Sequence, residues 1–202
     1  MEQVIKKEKK TFSNFLRLVF KRGLEIVGSF LIRLGLTPNK VSLIGLLGTV
    51  GSAIALAMGH MTVGGILVGL MGLVDTVDGA MARLKGETSR FGAFFDSVID
   101  RYSDLIVLGG LLVFYTRTQN WQACLLVYVA SIGSVVVSYI RARAESLDLE
   151  AEIGVLTRLE RHLVLVPALI LNHPIIGLWI IAVMGNFTAL QRIWHVWKQS
   201  RK

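Results

Sequence analysis

Three long stretches of the chain are almost free of charged residues, at residues 41–74, 105–140 and 163–190. Each stretch is longer than the ~20 residues that one helix needs to cross a membrane. A short polar segment interrupts each stretch, as expected for the turn of a helical hairpin. The pattern therefore predicts an all-α protein with a bundle of six transmembrane helices, arranged as three hairpins.

The chain before the first apolar stretch follows a different pattern. Basic residues dominate its beginning, and between Phe12 and Arg22 apolar residues interleave with basic ones. This interleaving is typical of an amphipathic helix that lies on an anionic membrane surface. We therefore expect residues 1–36 to form a basic tail and an N-terminal amphipathic interfacial helix, and residues 37–202 to form the six-span domain.

The second half of the first stretch, from Met61 to Asp75, is too short to cross a membrane unless its helix continues into polar sequence, and so is the first half of the second stretch, from Asp104 to Thr116. The second span must therefore run on to about Leu84, and the third must begin near Arg90, with a turn near Glu87. Four aspartates, Asp75, Asp78, Asp96 and Asp100, then fall inside the membrane-embedded helices.

The four aspartates are spaced so that each pair shares a helix face. A tight turn between the two helices brings the pairs together, and four close carboxylates repel one another unless cations neutralise them. Oxygen-preferring divalent ions are the natural neutralisers. Ionisable groups at membrane depth are expensive and mark functional sites. The sequence thus predicts a metal site.

The charge of the chain indicates its orientation. The net charge is +8, and the basic residues are concentrated at residues 1–40 and on the side of the aspartate-bearing turn, whereas the opposite side carries Arg117. The positive-inside rule then places both termini and the mouth of the acidic site in the cytoplasm. We attribute the basic charge to topology in the cell membrane and expect no nucleic-acid partner.

The residues beside the carboxylates favour phosphoryl chemistry. Gly79 and Ala82 leave room for a bulky ligand, and Arg83 offers a planar fork suited to phosphate. A pair of divalent ions that clamps a phosphoryl group for in-line displacement fits these features. Because the site lies in the membrane, one substrate is expected to be a lipid.

The segment from Asp75 to Asp100 resembles the CDP-alcohol phosphotransferase family, whose motif D-x2-D-G-x2-A-R-x8-G-x3-D-x3-D it matches at every fixed position. The resemblance implies transfer of a phosphatidyl or archaeol-phosphate group from a CDP-linked lipid to an alcohol, with release of CMP. It implies that two Mg²⁺ ions, or Mn²⁺, are bound by Asp75, Asp78 and Asp96 together with Asp100, which also acts as the general base. It further implies that the CDP-lipid contacts Asn39, Ser42, Gly79, Arg83 and Ser89.

The acceptor alcohol is predicted from a second set of residues. The segment from Asp96 to Asp104 resembles the D-x3-D-R-x2-D form of members that use inositol phosphate, and we expect Asp104 to pair with a nearby arginine. Arg141, Arg158 and Arg161 lie in segments that resemble those holding the acceptor's phosphate, although Arg141 stands where lysine is common. Arg192, in the last helix, is a further candidate.

Two alternatives remain open at this point. The nearer one keeps the same chemistry and changes the acceptor to glycerol 3-phosphate. A cation channel or transporter would use the aspartates as an ion path, but this leaves Gly79, Ala82 and Arg83 unexplained. The expected partners are the CDP-linked lipid, a phosphorylated alcohol, membrane lipids and a second copy of the chain in a homodimer.

Overall fold

A computed structural model of the protein describes residues 12–86 and 89–201. Within these ranges the chain is all-α, as predicted, and forms seven helices. These are α1 Phe12–Arg33, α2 Pro38–Ala57, α3 Met61–Lys85, α4 Arg90–Arg117, α5 Trp121–Glu145, α6 Arg158–Ile170 and α7 Pro174–Gln199. The basic tail and Glu87 lie outside the described residues, as do the side chains of residues 12–22, on which the amphipathic prediction depends.

The helix boundaries follow the polar interruptions of the sequence. The turns α2–α3, α4–α5 and α6–α7 each contain a residue in the left-handed region, Gly59 (φ 89°), Gln119 (φ 56°) and Asn172 (φ 59°). Glycine adopts this conformation without steric cost, and asparagine tolerates it. The helix α3 continues to Lys85 and α4 begins at Arg90, which confirms the prediction that both helices extend beyond the apolar stretches.

The prediction of a six-span bundle is wrong. Four helices of the described chain, α2, α3, α5 and α7, are long and apolar enough to cross a membrane. The helix α6 has 13 residues, or roughly 20 Å at the rise of an α-helix, which is less than the ~30 Å of bilayer hydrocarbon. The helix α4 has 28 residues, but Asp96, Asp100, Arg101 and Asp104 interrupt its apolar character.

Helix packing places the site between α2, α3, α4 and α6. The helix α2 packs against both α3 and α4, α6 packs against α3 and α7, and α5 packs against α7. Fully buried leucines from four helices, Leu56, Leu111, Leu169 and Leu178, belong to the main core. A smaller cluster joins α1 to the bundle around Val77 and Met81 of α3.

Apolar side chains also cover the outside of the bundle. Along α7, seven large side chains are half or more exposed: Ile176, Trp179, Val183, Phe187, Leu190, Ile193 and Trp194. A contiguous apolar surface of this kind is unfavourable in water and favourable in lipid. Together with the four span-length helices, it identifies the chain as a membrane protein.

Candidate active site

Three of the four predicted metal ligands converge. Asp75 and Asp78 extend from α3 and Asp96 from α4, and one carboxylate oxygen from each lies within 4.8 Å of the others. The helix α2 packs against both of these helices. Three carboxylates at this separation repel one another strongly, and their oxygens match the ligand preference of Mg²⁺ and Mn²⁺. The donor set therefore fits a divalent metal.

Ser42 of α2 completes this cluster. Its hydroxyl donates a hydrogen bond to Asp78 Oδ2 at 2.5 Å and lies 3.2 Å from the carbonyl oxygen of Pro38. Asp78 is buried, with 3% of its surface exposed, so the Ser42 hydroxyl fixes the orientation of a carboxylate that has little contact with solvent. The sequence assigned Ser42 to the CDP-lipid and gave no indication of this contact.

Asp100 does not belong to the converging trio. Its Oδ1 lies 2.6 Å from Arg158 Nη1, and the same nitrogen lies 2.7 Å from Asp75 Oδ2. Arg101 approaches Asp100 less closely, at 3.6 Å. The guanidinium of Arg158, from α6, thus bridges carboxylates of α3 and α4 and neutralises part of the acidic charge.

Asp104 pairs with an arginine, as expected. Arg161 Nη2 donates to Asp104 Oδ2 at 2.7 Å, and Arg161 is 4% exposed. The other terminal nitrogen of Arg161, Nη1, is also buried, and it has no hydrogen-bond partner among the described residues. A buried guanidinium nitrogen without an acceptor is costly, and an anion bound beside it would satisfy it.

Apart from Ser42, the residues expected to bind the CDP-lipid fall into two groups. The Ser89 hydroxyl caps α4 by accepting from the Gly92 amide at 2.9 Å, and a Cβ on Gly92 would lie 3.8 Å from Asn39 Oδ1. On α3, a Cβ on Gly79 would lie 3.6 Å from Arg83 Nη1, so the missing side chain of Gly79 leaves room beside this guanidinium.

The four candidate acceptor arginines differ in their environment. Arg141 is half exposed and pairs with Glu145 at 2.8 Å and Glu152 at 2.6 Å. Arg192 is buried, and its Nε and Nη1 donate to the carbonyl oxygens of Ile153 (2.7 Å) and Val137 (2.8 Å). The charges of Arg141 and Arg161 both act on Arg192, so three of the four guanidinium groups lie in one region.

Sequence reasoning missed His162. It follows Arg161 on α6 and lines a cleft together with Asp75, Arg158 and Ser42. Its Nδ1 lies 3.2 Å from the carbonyl oxygen of Arg158. Its position four residues after Arg158 placed it on the same helix face, which was the available sequence signal.

Known proteins resemble the chain over nearly its whole length. The CDP-alcohol phosphatidyltransferase family model matches residues 35–194. The archaetidylinositol phosphate synthase of Pyrococcus horikoshii is 34% identical over 180 residues, which cover 89% of this chain and 93% of the relative. The phosphatidylinositol phosphate synthase of Mycobacterium tuberculosis, solved with CDP-DAG bound, is 32% identical with a TM-score of 0.82, covering 87% of this chain and 94% of that chain.

The same mycobacterial enzyme has also been solved in complex with manganese and citrate. That structure is 32% identical to this chain with a TM-score of 0.80, covering 86% of this chain and 88% of the other. A manganese-bound relative with this fold, and three converging carboxylates in this chain, confirm the predicted divalent-metal cofactor.

Proposed function

Because the chain belongs to the CDP-alcohol phosphatidyltransferase family, we propose that it transfers a phosphatidyl or archaeol-phosphate group from a CDP-linked lipid to inositol phosphate. The transfer releases CMP. The names of the two relatives described above support inositol phosphate as the acceptor. The observation in this chain that carries the proposal is the buried, unpartnered Nη1 of Arg161, with Arg141 and Arg192 close enough for their charges to interact.

Asp75, Asp78 and Asp96 would hold the metal ions, with Asp100 at the edge of the cluster. Bound divalent ions supply Lewis-acid stabilisation of the negative charge on the phosphoryl oxygens. Ser42 keeps the Asp78 carboxylate in place through its 2.5 Å hydrogen bond. Arg83 lies beside Gly79, where its guanidinium can meet a phosphate of the CDP moiety.

Asp100 is suited to act as the general base. The acceptor hydroxyl gives its proton to the Asp100 carboxylate, the hydroxyl oxygen bonds to the lipid-side phosphorus, and the bond from that phosphorus to CMP breaks. Arg158 at 2.6 Å stabilises the ionised carboxylate, which is the form that accepts a proton.

The acceptor's phosphate is proposed to bind the arginine region of α5, α6 and α7. Arg161 Nη1 is buried and without a hydrogen-bond partner among the described residues, and Arg141 and Arg192 are near enough to act on one another's charge. Like charges held together repel one another, and a dianionic phosphate reverses that repulsion. An unphosphorylated alcohol offers no such group.

The acceptor is tested by incubating the purified enzyme with a CDP-linked lipid, in diacylglycerol and archaeol forms, and one alcohol at a time. The alcohols are inositol phosphate, inositol and glycerol 3-phosphate, and the lipid product is measured by mass. We expect a product with inositol phosphate and little with the other two. Equal use of inositol and inositol phosphate would contradict the phosphate pocket. A preference for glycerol 3-phosphate would show that glycerol 3-phosphate, and not inositol phosphate, is the acceptor.

We also propose that the protein lies in the cell membrane with the mouth of the site in the cytoplasm, as a homodimer. The described ends of the helices at the aspartate side carry Lys85, Arg90, Arg143 and Arg158, whereas the turns at the other side carry Arg117. The dimer is implied by the family resemblance. Measuring the mass of the protein in nanodiscs distinguishes one copy from two.

A further inference from the structure

We propose that residues 150–156, between α5 and α6, form a rigid strap that α7 holds in place and that positions the arginines for the acceptor phosphate. Thr188 and Gly154 are the positioning residues of this strap. The inference rests on the proposed function, since it assumes that these arginines bind a phosphate.

Three side chains of α7 fasten the strap through its backbone. The Thr188 hydroxyl accepts from the Leu156 amide at 3.1 Å, and Arg192 Nε donates to the Ile153 carbonyl at 2.7 Å. Gln199 accepts from the Glu150 amide at 3.0 Å and donates to the Glu150 carbonyl at 2.5 Å. Residues 188, 192 and 199 share one helix face, so a single face of α7 binds the strap at three points.

The strap lies directly against α7. Ala151 and Leu156 are buried, with 0% and 4% of their surfaces exposed. Gly154 has φ +131°, a conformation that residues with a side chain rarely adopt, and a Cβ on it would collide with the Thr188 side chain. The chain therefore passes so close to Thr188 that only glycine fits.

Two of the candidate acceptor arginines contact the strap, and the other two follow it directly along the chain. Arg141 pairs with Glu152 of the strap at 2.6 Å, and Arg192 binds the Ile153 carbonyl. The strap then leads into Thr157, whose amide donates to the Glu160 carboxylate at 2.9 Å in a capping box that begins α6. Arg158 and Arg161 occupy the first turn of that helix, so a shift of the strap moves the start of α6 and both guanidinium groups.

The test compares variants that change no charge. In Thr188→Val the Leu156 amide loses its acceptor, and in Gly154→Ala the strap must move away from α7. We expect each to raise KM for inositol phosphate about three- to tenfold, the range of one hydrogen bond, while KM for the CDP-lipid stays within about twofold. Thr188→Ser keeps the hydroxyl and should restore KM. Gly51→Ala, at an exposed glycine of α2 whose Cβ would meet nothing within 4 Å, is the matched control.

If Thr188 and Gly154 only stabilise the fold, both variants will have a lower melting temperature and an unchanged ratio of KM for inositol phosphate to KM for the CDP-lipid. That result would overturn the proposal. Amide hydrogen exchange of the parent and the Thr188→Val protein gives a second measurement that needs no acceptor. We expect faster exchange at residues 153–161 in the variant, and unchanged exchange there would overturn the strap even if another alcohol proves to be the substrate. Failure of the parent enzyme to use inositol phosphate would instead overturn the proposed function.

Discussion

At the scale of single residues, Asp78 is the carboxylate that the structure encloses most tightly. It is 3% exposed and accepts a 2.5 Å hydrogen bond from Ser42. Asp78→Asn keeps the shape and the acceptor oxygen but removes the negative charge, so we expect a folded protein that has lost metal-dependent turnover. The measurements are turnover against Mg²⁺ concentration and the rise in melting temperature that Mg²⁺ causes in the parent protein.

The matched control for this prediction is Asp148→Asn, the same change at an exposed position in the loop after α5. Its turnover and its response to Mg²⁺ should equal those of the parent. Full turnover by Asp78→Asn, or by the parent enzyme after treatment with EDTA, would contradict the metal assignment.

Asp100 should respond differently from Asp75, Asp78 and Asp96, because it lies outside their cluster and its Oδ1 lies 2.6 Å from Arg158 Nη1. A general base acts mainly in the transition state, so Asp100→Asn should lower kcat by about 10²–10⁴-fold and leave KM for the CDP-lipid nearly unchanged. Steady-state kinetics with varied CDP-lipid measure both constants. A large rise in that KM with normal kcat would argue against the base role.

Arg161 needs a test that separates phosphate binding from its ion pair with Asp104. Arg161→Ala alone removes the partner that lies 2.7 Å from Asp104 and leaves it only Arg158 at 3.8 Å, which destabilises the protein by itself. The double variant Arg161→Ala/Asp104→Ala removes both charges. We expect this variant to raise KM for inositol phosphate on the order of tenfold, because a charge-assisted contact with the phosphate is lost. An unchanged KM in the folded double variant would remove Arg161 from the acceptor site.

At the scale of the helices, one glycine controls the approach of α2 to α4. A Cβ on Gly110 would lie 2.5 Å from the carbonyl oxygen of Ala53, whereas a Cβ on Gly109 would meet nothing within 4 Å. We expect Gly110→Ala to lower stability by about 1–3 kcal/mol, because the two helices must separate. Gly109→Ala should be neutral or slightly stabilising.

Thermal unfolding in detergent measures both glycine variants under the same conditions. Equal melting temperatures for the two would show that α2 and α4 tolerate a side chain at their contact. The sequence could not distinguish these adjacent glycines, because both lie in the same apolar stretch and differ only in which face of α4 they occupy.

The sequence predicted the helices better than it predicted the spans. The C-terminal end of α3 at Lys85 and the N-terminal end of α4 at Arg90 followed from the length that a membrane-spanning helix needs. The count of spans failed at two helices, because charged residues interrupt the apolar character of α4 and because α6 has only 13 residues. An apolar turn of helix has the same sequence pattern in a short buried helix and in a membrane span.

The sequence predicted that the aspartates lie close together but gave no indication of the ion pairs around them. Helical periodicity brought Asp75, Asp78 and Asp96 together, because the three lie on adjacent helices. The separation of Asp100 from this trio depends on Arg158, which comes from α6 and reaches Asp75 across 83 residues of sequence. Local spacing carries no information about such a long-range contact.

At the scale of the whole molecule, the orientation of the bundle can be tested with its single cysteine removed. In a Cys124→Ala background, Ser200→Cys lies after α7 and Gln122→Cys lies at the start of α5, and both positions are exposed. Positive-inside orientation predicts that a membrane-impermeant maleimide labels Gln122→Cys in intact cells and Ser200→Cys only after the membrane is opened. The reverse pattern would invert the proposed orientation.

The ion pairs of Arg158 with Asp75 and Asp100 can form only late in synthesis of the chain. The acidic helices α3 and α4 are synthesised before α6, and Arg158 follows Asp75 by 83 residues. At the usual ~5–20 residues per second, Asp75 waits roughly 4–17 s for its guanidinium partner. During that interval the nascent hairpin must enter the bilayer with its acidic groups neutralised by bound cations or by protons. Biogenesis of this enzyme should therefore depend on the ionic conditions at the ribosome and at the insertion machinery.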